Sequence, residues 1–341
     1  MQSKPKILLI YTGGTIGMMK DFETGALKAF NFSKLLQKIP ELKQLDCDIE
    51  TISFETPIDS SNMNPDKWVK IAEMIETHYE KFDGFVVLHG SDTMSYSASA
   101  LSFMLEHLAK PVVFTGSQLP IGDLRTDAKE NLITAIQIAS LQHKNKPVIH
   151  EVCLYFEYKL YRGNRTTKIN AEHFNAFASP NYPPLAESGV HLKVNKELFA
   201  QSNGKPLIVH KKLDDHVVVV KLFPGINEQV LSALLNIPNL RGIVLETYGS
   251  GNAPTDEWFL SALKKSIKNG LHVVNVTQCS GGSVSMGQYE TSTALKKIGV
   301  ISGKDSTTEA AITKLMYLLG QNVAPNVFRT IFETSLRGEL T

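Results

Sequence analysis

Lys6-Ile7-Leu8-Leu9-Ile10-Tyr11-Thr12-Gly13-Gly14-Thr15-Ile16-Gly17 is the stretch on which the reading of the chain turns. The apolar run 7–10 is too short for a helix of ordinary length and reads as a strand buried on both faces. A turn rich in glycine and hydroxyls follows at once. In a parallel sheet such a turn lies past the carboxyl end of a strand, where ligands are held. Glycines there let the backbone approach a small ligand, and the N–H groups they expose can hold an anion or an oxyanion.

Outward from this segment the pattern repeats. Apolar runs at 85–88, 112–114, 148–156, 217–222, 243–245 and 273–276 read as further strands. Helical spacing lies between them: Trp68, Val69, Ala72 and Ile75 share a face, as do Leu101, Met104, Leu105 and Leu108, and Leu132, Ile133, Ile136 and Ala139. Further helices are expected around 230–235, 259–267 and 311–319. Pro180, Pro183, Pro184, Gly189, Gly204 and Pro206 interrupt the periodicity between 179 and 211. The expectation is an α/β protein: a larger N-terminal parallel-sheet domain covered by helices (1–190), a linker (191–211) and a smaller C-terminal α/β domain (212–341). Two more polar turns, His89-Gly90-Ser91-Asp92-Thr93 and Thr115-Gly116-Ser117-Gln118, should share the sheet edge of the first.

Composition narrows the function. The 341 residues are 43% hydrophobic and 20% charged, a globular balance, and 35 Lys plus Arg against 34 Asp plus Glu leave a net charge of +1. That is far from the basic excess of a nucleic-acid surface, so no nucleic-acid partner is expected. Nor is a membrane partner, because no apolar run approaches the roughly 18 residues of a span. Cys47, Cys153 and Cys279 form no C-x-x-C pair, which fits a reducing, cytoplasmic setting and offers no zinc motif. The dinucleotide fingerprint fails because its first glycine position is Thr12. The P-loop fails at 299–305, the zinc-protease motif at Leu154, and no G-x-S-x-G elbow occurs. No cofactor and no metal are expected.

What remains is hydroxyl chemistry without a histidine triad. Thr15, Ser91, Asp92 and Lys168 can form it, since a Ser or Thr hydroxyl becomes a nucleophile when a neighbouring base takes its proton, and a lysine beside a carboxylate can serve as that base. Each residue also has a local structural reading. Ser91-Asp92-Thr93 could cap the following helix, Lys168 could be a solvated surface charge, and Ser60 and Ser61 could form a plain turn. His89 reads as a satisfied histidine near the core and Cys279 as a small buried residue.

The strings Thr-Gly-Gly-Thr-Ile-Gly at 12–17, His-Gly-Ser-Asp-Thr-Met at 89–94 and Leu-Tyr-Arg-Gly-Asn-Arg-Thr-Thr-Lys at 160–168 resemble the bacterial type I (cytoplasmic) L-asparaginases. The similarity continues through Asp59-Ser60-Ser61, Tyr248-Gly249-Ser250-Gly251-Asn252-Ala253-Pro254, Thr277-Gln278-Cys279 and Leu336-Arg337-Gly338-Glu339-Leu340. The resemblance implies a two-domain α/β enzyme, a homodimer or homotetramer, that hydrolyses L-asparagine to L-aspartate and ammonia without a cofactor. It makes Thr15 the primary nucleophile, with Ser91, Asp92 and Lys168 as a second triad. Ser60 and Ser61 would hold the substrate's α-carboxylate and Asp92 its α-ammonium. The chain departs from the family pattern at Ser91, where threonine is usual, at Asn62, where many relatives have aspartate, and in the loop after the first strand, where the usual tyrosine has no clean counterpart and Phe22 lacks the phenol that would help activate Thr15. Some relatives bind a second asparagine near Thr167 and Cys279 with a basic residue where this chain has Glu246, so that site is expected to be weak or absent. The alternatives are a dual asparaginase-glutaminase, an ammonia-supplying subunit of a tRNA amidotransferase and a non-catalytic amino-acid sensor. The strand starting at Lys6 favours a free-standing enzyme over the second, and the retained Thr15, Ser91 and Lys168 argue against the third.

Overall fold

Ile7, Leu8, Leu9 and Ile10 are all fully buried, because the Lys6–Gly13 strand lies inside a sheet, paired in parallel with Asp48–Ile58 on one side and Gly84–Leu88 on the other. The computed structural model describes residues 4–20, 27–29, 39–287 and 290–341. Two units form the chain, Met1–Lys211 and Lys212–Thr341.

The sheet of the first unit has eight strands in the order Lys193–Val194, Ala186–Glu187, Lys159–Arg162, Val152–Phe156, Val112–Thr115, Gly84–Leu88, Lys6–Gly13, Asp48–Ile58. From Val152–Phe156 to Asp48–Ile58 every pairing is parallel, and the remaining strands add antiparallel to the opposite edge. Helices Pro65–His78, Met94–Met104 and Ala128–Ala139 cover the faces and turn the strands' alternate apolar side chains into a dry core. Pro65–His78 forms because Asn64 caps it by accepting from the Lys67 amide, proline occupies the first turn, and Trp68, Ile71, Ala72 and Ile75 make one buried stripe.

Two expectations are corrected. The helix read through Leu108 stops at Met104, and Leu105–Glu106 becomes a short strand paired antiparallel with Ile208–Val209. The stretch 191–211, expected as a linker, contributes Lys193–Val194 to the sheet and Ile208–Val209 to that pair. Prolines and glycines there break up long elements, yet the backbone donors and acceptors still find ladder partners.

The second unit has a parallel sheet of Val217–Lys221, Gly242–Thr247, His272–Thr277 and Ile301–Ser302 in that order. Its core joins Val220, Ile243, Leu245 and Val273 to Leu231, Phe259 and Leu263 of the helices Glu228–Leu235 and Glu257–Lys268.

One close approach governs the site-bearing edge. At Gly13 (φ 134°) an added Cβ would lie 2.0 Å from the Ile58 carbonyl oxygen, where the register between the two strands shifts. Gly13→Ala therefore meets both backbone strain and a clash with main chain that cannot swing aside. It is expected to cost at least about 2 kcal/mol in urea unfolding; a loss under about 0.5 kcal/mol would show that the strand ends can separate freely.

Candidate active site

Thr15, Ser60, Ser91, Asp92 and Lys168 come together at the carboxyl edge of the parallel strands, around a cavity of about 180 Å³ that Gly14, Met18, Asp59, Gly90, Gln118 and Ala171 also line. Thr15 opens a single 3-10 turn, Thr15–Gly17, after Gly14 (φ 82°). Gly14 packs against Gly90 so closely that an added Cβ would lie 2.5 Å from the Gly90 nitrogen. The turns after the first strand and after Gly84–Leu88 are thereby in backbone contact. Ser60 is buried, in the Ser60–Asn62 turn after Asp48–Ile58, and its carbonyl accepts from Thr93 Oγ1 at 2.8 Å, which ties that turn to the one after Gly84–Leu88.

Lys168 connects the polar groups. It lies in the two-residue strand Thr167–Lys168, paired with Phe177–Ala178, and its Nζ donates to Ser91 Oγ at 2.9 Å and to Asp92 Oδ1 at 2.7 Å. Lys168 is mostly covered while the Asp92 carboxylate is mostly in solvent. The reading of Lys168 as a free surface charge is thus excluded by geometry. The capping alternative also falls: Thr93 stands at the N-terminus of Met94–Met104 without a side-chain cap bond, its hydroxyl being spent on Ser60.

Ser91 Oγ in turn donates to Gln118 Oε1 at 3.0 Å. The Gln118 amide is oriented by two bonds from its Nε2, to the carbonyls of Ala171 and His173, both at 3.1 Å. In this state Lys168 donates to Ser91 and the serine proton faces Gln118, so passing a proton from Ser91 to Lys168 requires the hydroxyl to turn. No motif marks Gln118 in the sequence; its place past the end of a central strand is the signal that points to it. Asp59 enters the sequence reading only through the resemblance carried by Asp59-Ser60-Ser61. Its carboxylate accepts from the Ser61 amide at 2.8 Å and the Ser61 hydroxyl at 2.7 Å, and these bonds hold its pKa below the ordinary value. Ser61 itself is exposed and is not among the cavity-lining residues.

The model of the family "Asparaginase, N-terminal" matches residues 6–200, and that of the "Glutaminase/Asparaginase C-terminal domain" matches 216–332. The chain belongs to the asparaginase family. The asparaginase fold is seen again in L-asparaginase I from Vibrio cholerae, 41% identical with a TM-score of 0.91 over 99% of this chain and 100% of that one. The thermostable L-asparaginase from Thermococcus kodakarensis superposes with a TM-score of 0.89 at 34% identity, covering 98% and 99%. L-asparaginase 1 of Escherichia coli is 46% identical over 339 residues, 99% of this chain and 98% of its own.

Within this asparaginase-family chain, Phe22 lies outside the described residues. Cys279, expected to be buried, is exposed in the turn after His272–Thr277, where its amide donates to Thr277 Oγ1 at 3.1 Å. Glu246 accepts from Thr308 Oγ1 at 2.6 Å and has Lys221 Nζ at 3.9 Å. Among the described residues the group of acids and histidines close enough to share an ion is Asp214, Asp215 and His216, in the second unit; Asp214 is already bonded to His216 and paired with Arg241.

His89 is buried, as read from sequence, and burial holds its imidazole down to about 4, against an ordinary 6.5. Between these values the unfolded chain binds a proton that the folded chain refuses, so the stability is complete above pH 6.5 and drains away as pH falls towards 4. Lowering the pH from 7 to 5 is expected to cost the parent about 2 kcal/mol more than a His89→Asn variant in urea unfolding. Parallel pH curves for the two proteins would show that the imidazole is not the group responsible.

Proposed function

We propose that the protein is an L-asparaginase, a hydrolase that converts L-asparagine to L-aspartate and ammonia through a Thr15 ester. The observation that carries this is the reach of Lys168 Nζ to both Ser91 Oγ and Asp92 Oδ1 in a cavity that Thr15 also lines. Thr15 Oγ attacks the side-chain amide carbon, its proton reaches the departing nitrogen through Ser91 and Lys168, and ammonia leaves. Water then cleaves the ester and restores the threonine hydroxyl. A cavity of about 180 Å³ is well below the roughly 300–1,000 Å³ of drug-sized sites and suits a free amino acid. Its charges suit a zwitterion: Asp59 and Asp92 can receive the α-ammonium, and Ser60 can donate to the α-carboxylate. Ser61 acts at one remove, by holding Asp59. The comparisons support this reading, since the relatives from Escherichia coli, Vibrio cholerae and Thermococcus kodakarensis are named L-asparaginases.

In keeping with the free Cys47, Cys153 and Cys279, we place the enzyme in the cytoplasm. For its assembly we propose a homodimer or homotetramer, as the family resemblance implies. Glu246 is engaged by Thr308 and Lys221 and offers a like charge to an α-carboxylate, so a second asparagine site that relied on a basic residue at position 246 is weak or lacking.

Purified protein is expected to release ammonia from L-asparagine in preference to L-glutamine by a moderate margin, because one extra methylene is worth only about 1–3 kcal/mol. Equal kcat/KM for both amides would favour a dual asparaginase-glutaminase. Thr15→Ala should remove nearly all turnover while the substrate still binds, and Lys168→Met should lower kcat on the order of 10² to 10⁴. Retention of kcat within about threefold in either variant would overturn that residue's role. The rate should depend hyperbolically on asparagine; a Hill coefficient clearly above one would show that a second site operates.

A further inference from the structure

His89 closes the Gly84–Leu88 strand, with its amide donating to the Thr115 carbonyl at 2.9 Å and its imidazole completely buried edge-on to Phe114. Nδ1 lies 2.7 Å from the Gly90 carbonyl oxygen and Nε2 lies 2.8 Å from Ser97 Oγ, while Trp68 Nε1 donates to the same Ser97 oxygen at 2.9 Å. These contacts permit one arrangement of protons. A carbonyl only accepts, so Nδ1 carries the hydrogen; Nε2 then accepts from the Ser97 hydroxyl, whose oxygen accepts from the indole. Burial keeps the ring in this neutral form at working pH. The helices Pro65–His78 and Met94–Met104 thus supply a directed chain ending on the peptide beside Ser91. In a trans peptide the C=O and N–H point in opposite directions. A Gly90 oxygen drawn down to the buried ring sends the Ser91 N–H the other way, on the side where Gly90 and Ser91 line the cavity.

We propose that His89 is a positioning residue: by donating Nδ1–H to the Gly90 carbonyl it turns the Gly90–Ser91 peptide so that the Ser91 N–H faces the cavity and stabilises the oxygen of the amide under attack. The role rests on the amide hydrolysis proposed above. Gly90 is part of the device, since a Cβ there would lie 2.5 Å from Ser60 Oγ and 2.7 Å from Ser60 Cβ, so that either Ser60 or the Gly90 backbone would have to shift.

Three variants separate the role from plain packing. Asparagine places its amide nitrogen where His89 carries Nδ1, and so keeps the donor to Gly90. Glutamine can still meet Ser97 but loses that donor, and leucine keeps neither bond. For variants that unfold cooperatively, His89→Gln and His89→Leu are expected to lower kcat for L-asparagine on the order of 10- to 100-fold with KM within about threefold, and His89→Asn is expected to restore most of it. Equal kcat in the Asn and Gln variants, or kcat within threefold of the parent in His89→Leu, would overturn the role. A parent without activity on L-asparagine would overturn the function and leave the geometry to be judged by crystal structures. There the Gly90–Ser91 peptide is expected to rotate in His89→Leu and to keep its orientation in His89→Asn; an unrotated peptide in the leucine variant would overturn the proposal.

Discussion

The site depends on backbone meeting backbone. The Gly14 position touches Gly90, the Gly13 position touches Ile58, and the Gly14 amide donates to the Ile58 carbonyl at 3.1 Å. With side chains at these glycines the three turns would stand apart and Thr15, Ser60 and Ser91 could not share one small cavity. Adjacent parallel strands lie a little under 5 Å apart, which brings their carboxyl ends to the spacing that one amino acid can bridge. The glycines let the turns exploit that spacing.

A second layer of fixed polar groups holds the turns from behind. Asp127, at the start of Ala128–Ala139, accepts from the amides of Gln118 and Leu119 at 2.9 and 3.1 Å and from Asn131 Nδ2 at 3.2 Å. Asn131 also donates to the Gly116 carbonyl at 3.0 Å and accepts from the Glu157 amide at 3.0 Å. Desolvation raises the Asp127 pKa, and the amide bonds counter that shift. Gln118 therefore meets Ser91 from a loop whose main chain is fastened, and its amide is oriented from the far side by Ala171 and His173. Precise placement of reacting groups comes from such supporting bonds more than from the reacting groups themselves.

The sequence made the central strands legible because each is a short, β-branched run buried on both faces and ending in a polar turn. Asp48–Ile58 escaped notice for the opposite reason: it lies at the sheet edge, most of its side chains are at least partly exposed, and Glu50, Thr51, Glu55 and Thr56 break up the apolar signal. The two-residue strands Ala186–Glu187 and Lys193–Val194 carry no periodicity at all, so only their ladder partners define them. Thr15, Ser91, Asp92 and Lys168 were legible as a set through hydroxyl chemistry and family resemblance, and Ser60 through the resemblance. Gln118 and the Trp68, Ser97 and His89 chain were not. Their roles lie in the direction of hydrogen bonds between residues far apart in sequence, which no local pattern records.

Residues 14, 60, 91, 118 and 168 reach the cavity from four turns and one short strand, spread over most of the first unit. No single turn or strand supplies more than three of the residues that line the cavity. The contacts that assemble it are of long sequence separation, which makes their formation slow and cooperative, since each costs loop entropy before it returns any stability. A partly refolded molecule consequently has no partial site to offer. Recovery of catalysis after denaturation is a reporter of the last strand to dock, and secondary structure can return well ahead of it.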